Sequence, residues 1–289
     1  MDNTQKATVG IVGLGLIGGS YAKALQENGK YRVLAYDIDN SVLGFAKMTG
    51  AINGSLIDEN LPECDYLLIA LYPQATESYL NANAHRIKKG ALVVDTVGTK
   101  QGICLFGQQL AKEHGFIFCG GHPMAGTQFS GFKYARASLF HNAVMILTPK
   151  PNEDLHVLDK LKAFFLDCGF ARINITTPEK HDEVIAFTSQ LAHVVSNAYI
   201  KSPTALMQRN FSAGSYKDLT RVARLNEEMW TQLFMENKDN LLFELDTIIA
   251  NLQEYRDAMA DEDAPRLKAL LRDGRIIKER TLNDERNPH

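Results

Sequence analysis

The sequence has no marked excess of charge of either sign. Its 31 lysines and arginines stand against 34 aspartates and glutamates, for a formal net charge of −3. The basic footprint of a nucleic-acid binder is therefore missing. Long apolar runs are also absent: the cleanest, Tyr66-Leu-Leu-Ile-Ala-Leu-Tyr72, falls far short of the ~20 residues of a membrane span. The first residues, MDNTQKA, are polar and do not read as a signal peptide, so no membrane partner and a cytoplasmic location are expected. Cys64, Cys104, Cys119 and Cys168 form no CxxC and no Cys/His cluster, which excludes a zinc motif and a disulfide framework. No metal is expected, and four reduced thiols are. What remains is ordinary globular composition, 45% hydrophobic and 22% charged over 289 residues, enough for about two domains.

The first half alternates short apolar runs with helical patterns. Strands are expected at Ala7–Val12, Tyr31–Tyr36, Asp65–Leu71, Ala91–Val94, Phe116–Cys119, Ala143–Leu147 and Ala171–Thr176. Helices are expected through Tyr21–Leu25, Ser41–Met48 and Leu155–Phe165. This alternation reads as an α/β fold, a Rossmann-type doubly wound parallel sheet covered on both faces. After Pro178 the patterns turn helical, so residues 1–176 are assigned to a dinucleotide-binding domain and 177–289 to an all-helical one. Val184, Leu191, Val194, Val195 and Ala198 fall on one helical face. Leu241, Leu245, Ile248, Leu252, Tyr255 and Met259 form a heptad-like stripe, widened by Leu242 and Ile249. The stripe serves equally as a domain core or as a subunit interface.

Gly13-Leu-Gly15-Leu-Ile-Gly18 matches GxGxxG with a strand before it and a helix after it. Gly13 permits the tight turn, Gly15 lets backbone approach a pyrophosphate, and Gly18 lets helix pack on strand. The helix start, with Leu16 and Ile17, offers amides and a positive dipole end to phosphates. Asp37 follows about 20 residues on, where a carboxylate accepts from the ribose hydroxyls. No lysine or arginine follows in Ile38-Asp39-Asn40, so NAD is the expected cofactor rather than NADP.

Of eight histidines, His85, His114, His141, His156, His181 and His289 read as surface or capping groups. His122, in Gly120-Gly-His-Pro-Met-Ala-Gly126, reads as presented by a fixed loop just after a strand, where open α/β sheets place their chemistry. His193, on a helix, reads either as functional or as a core residue.

Several segments together resemble the prephenate/arogenate dehydrogenase family. They are the glycine loop through Ser20, Gly120 through Thr127, Ser130-Gly131, His181-Asp-Glu, Ser189 through His193, Phe211 through Arg221, and Trp230. The resemblance implies a nucleotide-binding domain followed by a helical domain that dimerises. It implies oxidative decarboxylation of prephenate to 4-hydroxyphenylpyruvate in tyrosine biosynthesis, with tyrosine as a candidate feedback inhibitor. By motif, His122 corresponds to the catalytic histidine and Arg221 to the arginine that grips the ring carboxylate. His193, Lys217, Asp218 and Trp230 match positions around the same cleft. Two departures stand out. Gly98 occupies the place of a common serine, leaving Thr96 or Thr99 to supply a hydroxyl beside the cofactor, or nothing. Gln128 stands where relatives often carry an acid. Its neutral amide offers no countercharge to an ammonium, which favours the keto acid over arogenate. Arogenate dehydrogenase and a non-catalytic NAD-binding protein are the competing readings.

The implied reaction moves hydride from C4 and releases CO₂ from C1 as the ring aromatises. The protein must orient C4 and supply a base for the hydroxyl proton, and His122 is the candidate. The carboxylate held by Arg221 loses its charge as CO₂ leaves, so that arginine is expected to serve binding more than rate.

Overall fold

A computed structural model describes residues 6–127 and 129–286. Eight strands form one sheet: β1 (Ala7–Val12), β2 (Tyr31–Tyr36), β3 (Gly54–Ser55), β4 (Tyr66–Ile69), β5 (Leu92–Asp95), β6 (Ile117–Pro123), β7 (Val144–Thr148) and β8 (Arg172–Ile175). Their spatial order is β3-β2-β1-β4-β5-β6-β7-β8, with the reversal beside β1 that creates a crevice at the strand ends. Every pairing is parallel except β6 with β7. The sheet is thus the parallel-dominated, doubly wound one expected, with a single antiparallel pair near its β8 edge.

The helices are α1 (Leu16–Asn28), α2 (Asn40–Met48), α3 (Pro73–Asn83), α4 (Gln101–His114), α5 (Leu155–Asp167), α6 (Pro178–Ile185), α7 (Ala192–Tyr199), α8 (Gly214–Thr220), α9 (Glu227–Glu236), α10 (Lys238–Ala260) and α11 (Ala264–Arg286). Strand side chains alternate between two cores. Val9, Ile11, Leu68 and Val94 meet Tyr21, Phe140 and Phe164 on one face. Val12, Leu67, Ile69 and Val93 meet Leu80, Phe118 and Leu233 on the other. Burial on both faces explains why these strands read as near-continuous apolar runs.

One turn of π-helix, Ala186–Leu191, joins α6 to α7. The extra residue per turn breaks the 3.6-residue period. Val184 and Leu191 therefore do not share a face: Val184 is 42% exposed and Leu191 is buried, against the single stripe expected. By compactness the chain forms one unit through Lys238 and a second from Asp239. The unit from Asp239 contains most of α10 together with α11, which Tyr255 Oη links by donating to the Leu270 carbonyl at 3.2 Å. Among the described residues no helix is long and apolar enough to cross a membrane.

Candidate active site

The glycine loop lies at the carboxyl end of β1. Gly13 adopts φ +90°, and a Cβ there would sit 2.5 Å from the Ala70 carbonyl oxygen. A Cβ on Gly18 would overlap the Gly13 carbonyl. By contrast, one on Gly15 would meet nothing within 4 Å. Gly15 is also the N-cap of α1, with no side-chain cap and no acid in the first turn. The helix start at Leu16 and Ile17 thus combines free space with uncommitted amides, which suits a pyrophosphate. Asp37 braces the loop: its Oδ2 accepts from Leu14 N–H at 2.6 Å and its Oδ1 from Asp39 N–H at 2.9 Å. Asp39 caps α2 through Ser41 N–H at 2.8 Å. Two carboxylates with no nearby cation in 38–40 disfavour a 2′-phosphate.

His122 is the penultimate residue of β6, inside the strand rather than on a loop after it. The antiparallel partner β7 extends the pairing to Pro123, which faces Met145. Gly120 and Gly121 are required by packing: a Cβ on Gly121 would meet the Asp95 carbonyl at 2.6 Å. His122 Nδ1 lies 2.9 Å from His181 Nε2, and His181 Nδ1 lies 2.7 Å from Asp182 Oδ1. Both partners are buried, which corrects the surface reading of His181. Asp182 also accepts the backbone N–H of Lys100 at 2.7 Å and of Gln101 at 2.9 Å. Buried Lys100 pairs with buried Asp95 and donates to the Gly121 carbonyl at 2.8 Å. Burial, with His181 and the Lys100 ammonium adding, pushes the His122 pKa well below the usual histidine value.

A second cluster lies on α7 to α9. His193 stacks on Trp230 with ring centroids 4.0 Å apart, and its Nδ1 lies 2.8 Å from the Ser189 carbonyl oxygen. Burial lowers the His193 pKa; the Ser189 bond opposes this and the Arg221 charge adds to it. Ser196 Oγ donates to the Leu219 carbonyl at 2.6 Å and Asn197 Nδ2 to the Ala223 carbonyl at 3.0 Å. These bonds hold the end of α8, and hence Arg221, beside α7. Arg221, Lys217 and Asp218 are exposed. Among the described residues the Arg221 guanidinium forms no hydrogen bond or ion pair within the protein.

The structure thus brings His193, Arg221 and Trp230 together, and places His122 in a separate relay reached along the α6–α7 run. Lys217 and Asp218 lie on α8 and, among the described residues, their side chains form no hydrogen bond or ion pair with either group. Gln128 lies outside the described residues. The Thr96 hydroxyl donates to the Ile69 carbonyl at 3.2 Å and the buried Thr99 hydroxyl to Glu236. A side chain at Gly98 would meet Leu233 of α9 at 3.2 Å. Sequence reasoning missed His181, Asp182, Lys100 and Asp95. The available signal was the adjacency of His181 and Asp182 just after the last strand, in a helix opened by Thr177-Pro178.

A doubly wound sheet with an open glycine loop at one strand end and a histidine relay at another defines a dinucleotide-dependent oxidoreductase. The chain belongs to the prephenate dehydrogenase family. Residues 21–175 match the family's nucleotide-binding domain and 177–273 its dimerization domain. The chain is 32% identical over 276 residues to prephenate dehydrogenase of Bacillus subtilis, covering 92% of this chain and 73% of that one. It is 32% identical over 266 residues to cyclohexadienyl dehydrogenase of Zymomonas mobilis, covering 88% and 89%. It superposes on prephenate dehydrogenase from Aquifex aeolicus, solved with hydroxyphenyl propionate and NAD⁺, with TM-score 0.83 and 27% identity, covering 97% and 100%.

Proposed function

We propose that the chain oxidises and decarboxylates prephenate to 4-hydroxyphenylpyruvate, using NAD, as a cytoplasmic step of tyrosine biosynthesis. The observation that carries the reading is His122. It is a half-buried imidazole at a strand end, lowered in pKa and backed by a buried histidine, in a chain of this family. Bound NAD supplies the acceptor for the C4 hydride. Gly13, Gly15, Leu16, Ile17 and Gly18 bind the pyrophosphate, and Asp37 accepts from the ribose. His122 takes the C4 hydroxyl proton. Arg221 grips a substrate carboxylate through a two-pronged, charge-assisted contact. His193 and Trp230 wall the same side.

The boundary at 176/177 belongs to this reading: β8 ends at Ile175 and Thr177 caps α6 by accepting from Lys180 N–H. So does inhibition by tyrosine. Its hydroxyphenyl propionate skeleton is that of the molecule held by the Aquifex relative, which makes it a competitor of prephenate. The deciding experiment follows NADH formation with prephenate and with arogenate, each with NAD and with NADP. Prephenate with NAD is expected to be fastest. Nucleotide binding without NADH formation from either acid overturns the proposal.

A further inference from the structure

The hydroxyl proton has a short journey in this reaction. Prephenate plus NAD gives 4-hydroxyphenylpyruvate, CO₂ and NADH, with no net proton released. The C4 hydride carries away one electron pair, and the C1–carboxylate bond returns a pair to the ring as CO₂ leaves. The oxygen that gave up its proton ends as a phenol. The site therefore needs a group that borrows one proton and gives it back, and it needs no exit to solvent.

We propose that His181 and Asp182 are positioning residues that make Nε2 of His122 the base and close the relay in which this proton is held. This rests on the reading of His122 given above. The far end of the relay fixes its protons. The backbone amides of Lys100 and Gln101 can only donate, at 2.7 and 2.9 Å, so both Asp182 oxygens present lone pairs. His181 Nδ1, 2.7 Å from Oδ1, is therefore the donor. In a neutral ring that leaves His181 Nε2 as an acceptor. The 2.9 Å contact then requires the proton of His122 to sit on Nδ1, so that Nε2 carries the free lone pair. Nε2 of His122 bonds to no described residue, whereas Nδ1 is committed.

When Nε2 takes the hydroxyl proton, His122 becomes a cation whose Nδ1–H points at His181. Charge can pass to His181, against the Asp182 carboxyl group, and return. Beyond Asp182 there are only amide donors, so the chain of acceptors stops. Two further charged groups, Lys100 and Glu236, lie around the relay. Lys100 is paired with Asp95 and bonded to the Gly121 carbonyl, beside His122. Glu236 of α9 takes the Thr99 hydroxyl and feels the Asp182 charge. Asn237 Nδ2 holds the Asp182 carbonyl at 2.8 Å, fixing α6 from the same side.

The test is the protonation pattern of His122, read by nitrogen-15 NMR of the imidazoles in the full-length protein above the histidine titration. His122→Asn and His181→Gln assign the resonances. The expected pattern for His122 is a proton on Nδ1 and a bare Nε2; a proton on Nε2 overturns the proposal. In parallel, His181→Leu is expected to lower kcat by about 10²-fold, within the range of general-base effects, with KM for prephenate nearly unchanged. His181→Gln, whose carboxamide oxygen accepts from Nδ1 in place of the ring nitrogen, is expected to recover most of that loss. A leucine variant with normal kcat and normal pH profile also overturns the proposal. Should that variant fail to fold, the wild-type spectrum decides alone. Normal kcat in His122→Asn defeats the reading of His122 as base, whatever the spectrum shows, so the two failures are separable.

Discussion

At the scale of single residues, charge decides what each side chain contributes. Protonation of His122 removes the base, so kcat falls as pH falls. Because burial, His181 and Lys100 hold its pKa well below that of an ordinary histidine, the fall is expected at a pH below the usual ~6.5. A kcat–pH profile with its midpoint above that value contradicts the assignment. His122→Asn should cost roughly 10²–10⁴-fold in kcat with little change in KM, the signature of a lost transition-state interaction. Arg221 should behave in the opposite way. Its guanidinium grips a carboxylate whose charge vanishes as CO₂ departs, so the contact favours the ground state at least as much as the transition state. Arg221→Ala is expected to raise KM for prephenate on the order of 10²-fold, the loss of a charge-assisted pair of about 3 kcal/mol, with a smaller effect on kcat. Titration of His193 by NMR gives a second readout. The Arg221 cation depresses its pKa, so the variant should titrate at higher pH; an unchanged titration together with an unchanged KM removes Arg221 from the site.

At the scale of elements, the glycine loop separates folding from binding. Gly18→Ala places a methyl group into the Gly13 carbonyl, whereas Gly15→Ala places one in open space at unstrained backbone, φ −71°. Gly15→Ala should therefore leave Tm nearly unchanged while raising KM for NAD at least about tenfold, a cost of ~1.4 kcal/mol. Equal affinity for NAD in variant and wild type would show that phosphates do not approach there. This loop was legible in the sequence because its pattern is local: strand, three glycines, helix, then Asp37 at the end of β2. The strands were legible for the same reason, burial on both faces leaving uninterrupted apolar runs. What was hidden depends on long-range pairing. β6 continues through His122 only because β7 lies antiparallel beside it. His181 reads as an ordinary polar residue of α6 until the fold brings β6 within 2.9 Å of it. The π turn at Ala186–Leu191 carries no distinctive composition, and it rotates every later side chain off the period that a straight helix would keep.

At the scale of the molecule, the question is what covers α10. Its 23 residues span about 35 Å, and on them Leu241 and Ala258 are buried within the protomer. Leu242, Phe243, Ile249, Leu252 and Met259 are not: each is between 48% and 68% exposed. Isolated surface apolar residues are ordinary, but a run of them along one helix is not, and this run falls within residues 177–273, matched to the family's dimerization domain. We infer that these side chains are buried between two copies of the chain. Ile249 and Leu252 are three residues apart, adjacent on the helix surface, and burying such a side chain contributes roughly 1.5–3 kcal/mol. Replacing both with lysine removes that contribution twice in each copy and sets charges where an apolar surface would face them. Sedimentation at micromolar concentration is expected to find a dimer for the wild type and a monomer for Ile249→Lys/Leu252→Lys. Helical circular dichroism should be retained, since neither side chain belongs to the protomer's own core. Leu241→Lys supplies the contrast: it is 5% exposed in the protomer and should lower Tm directly. A double variant that still sediments as a dimer would assign the stripe to some other contact and move the subunit interface off this face of α10.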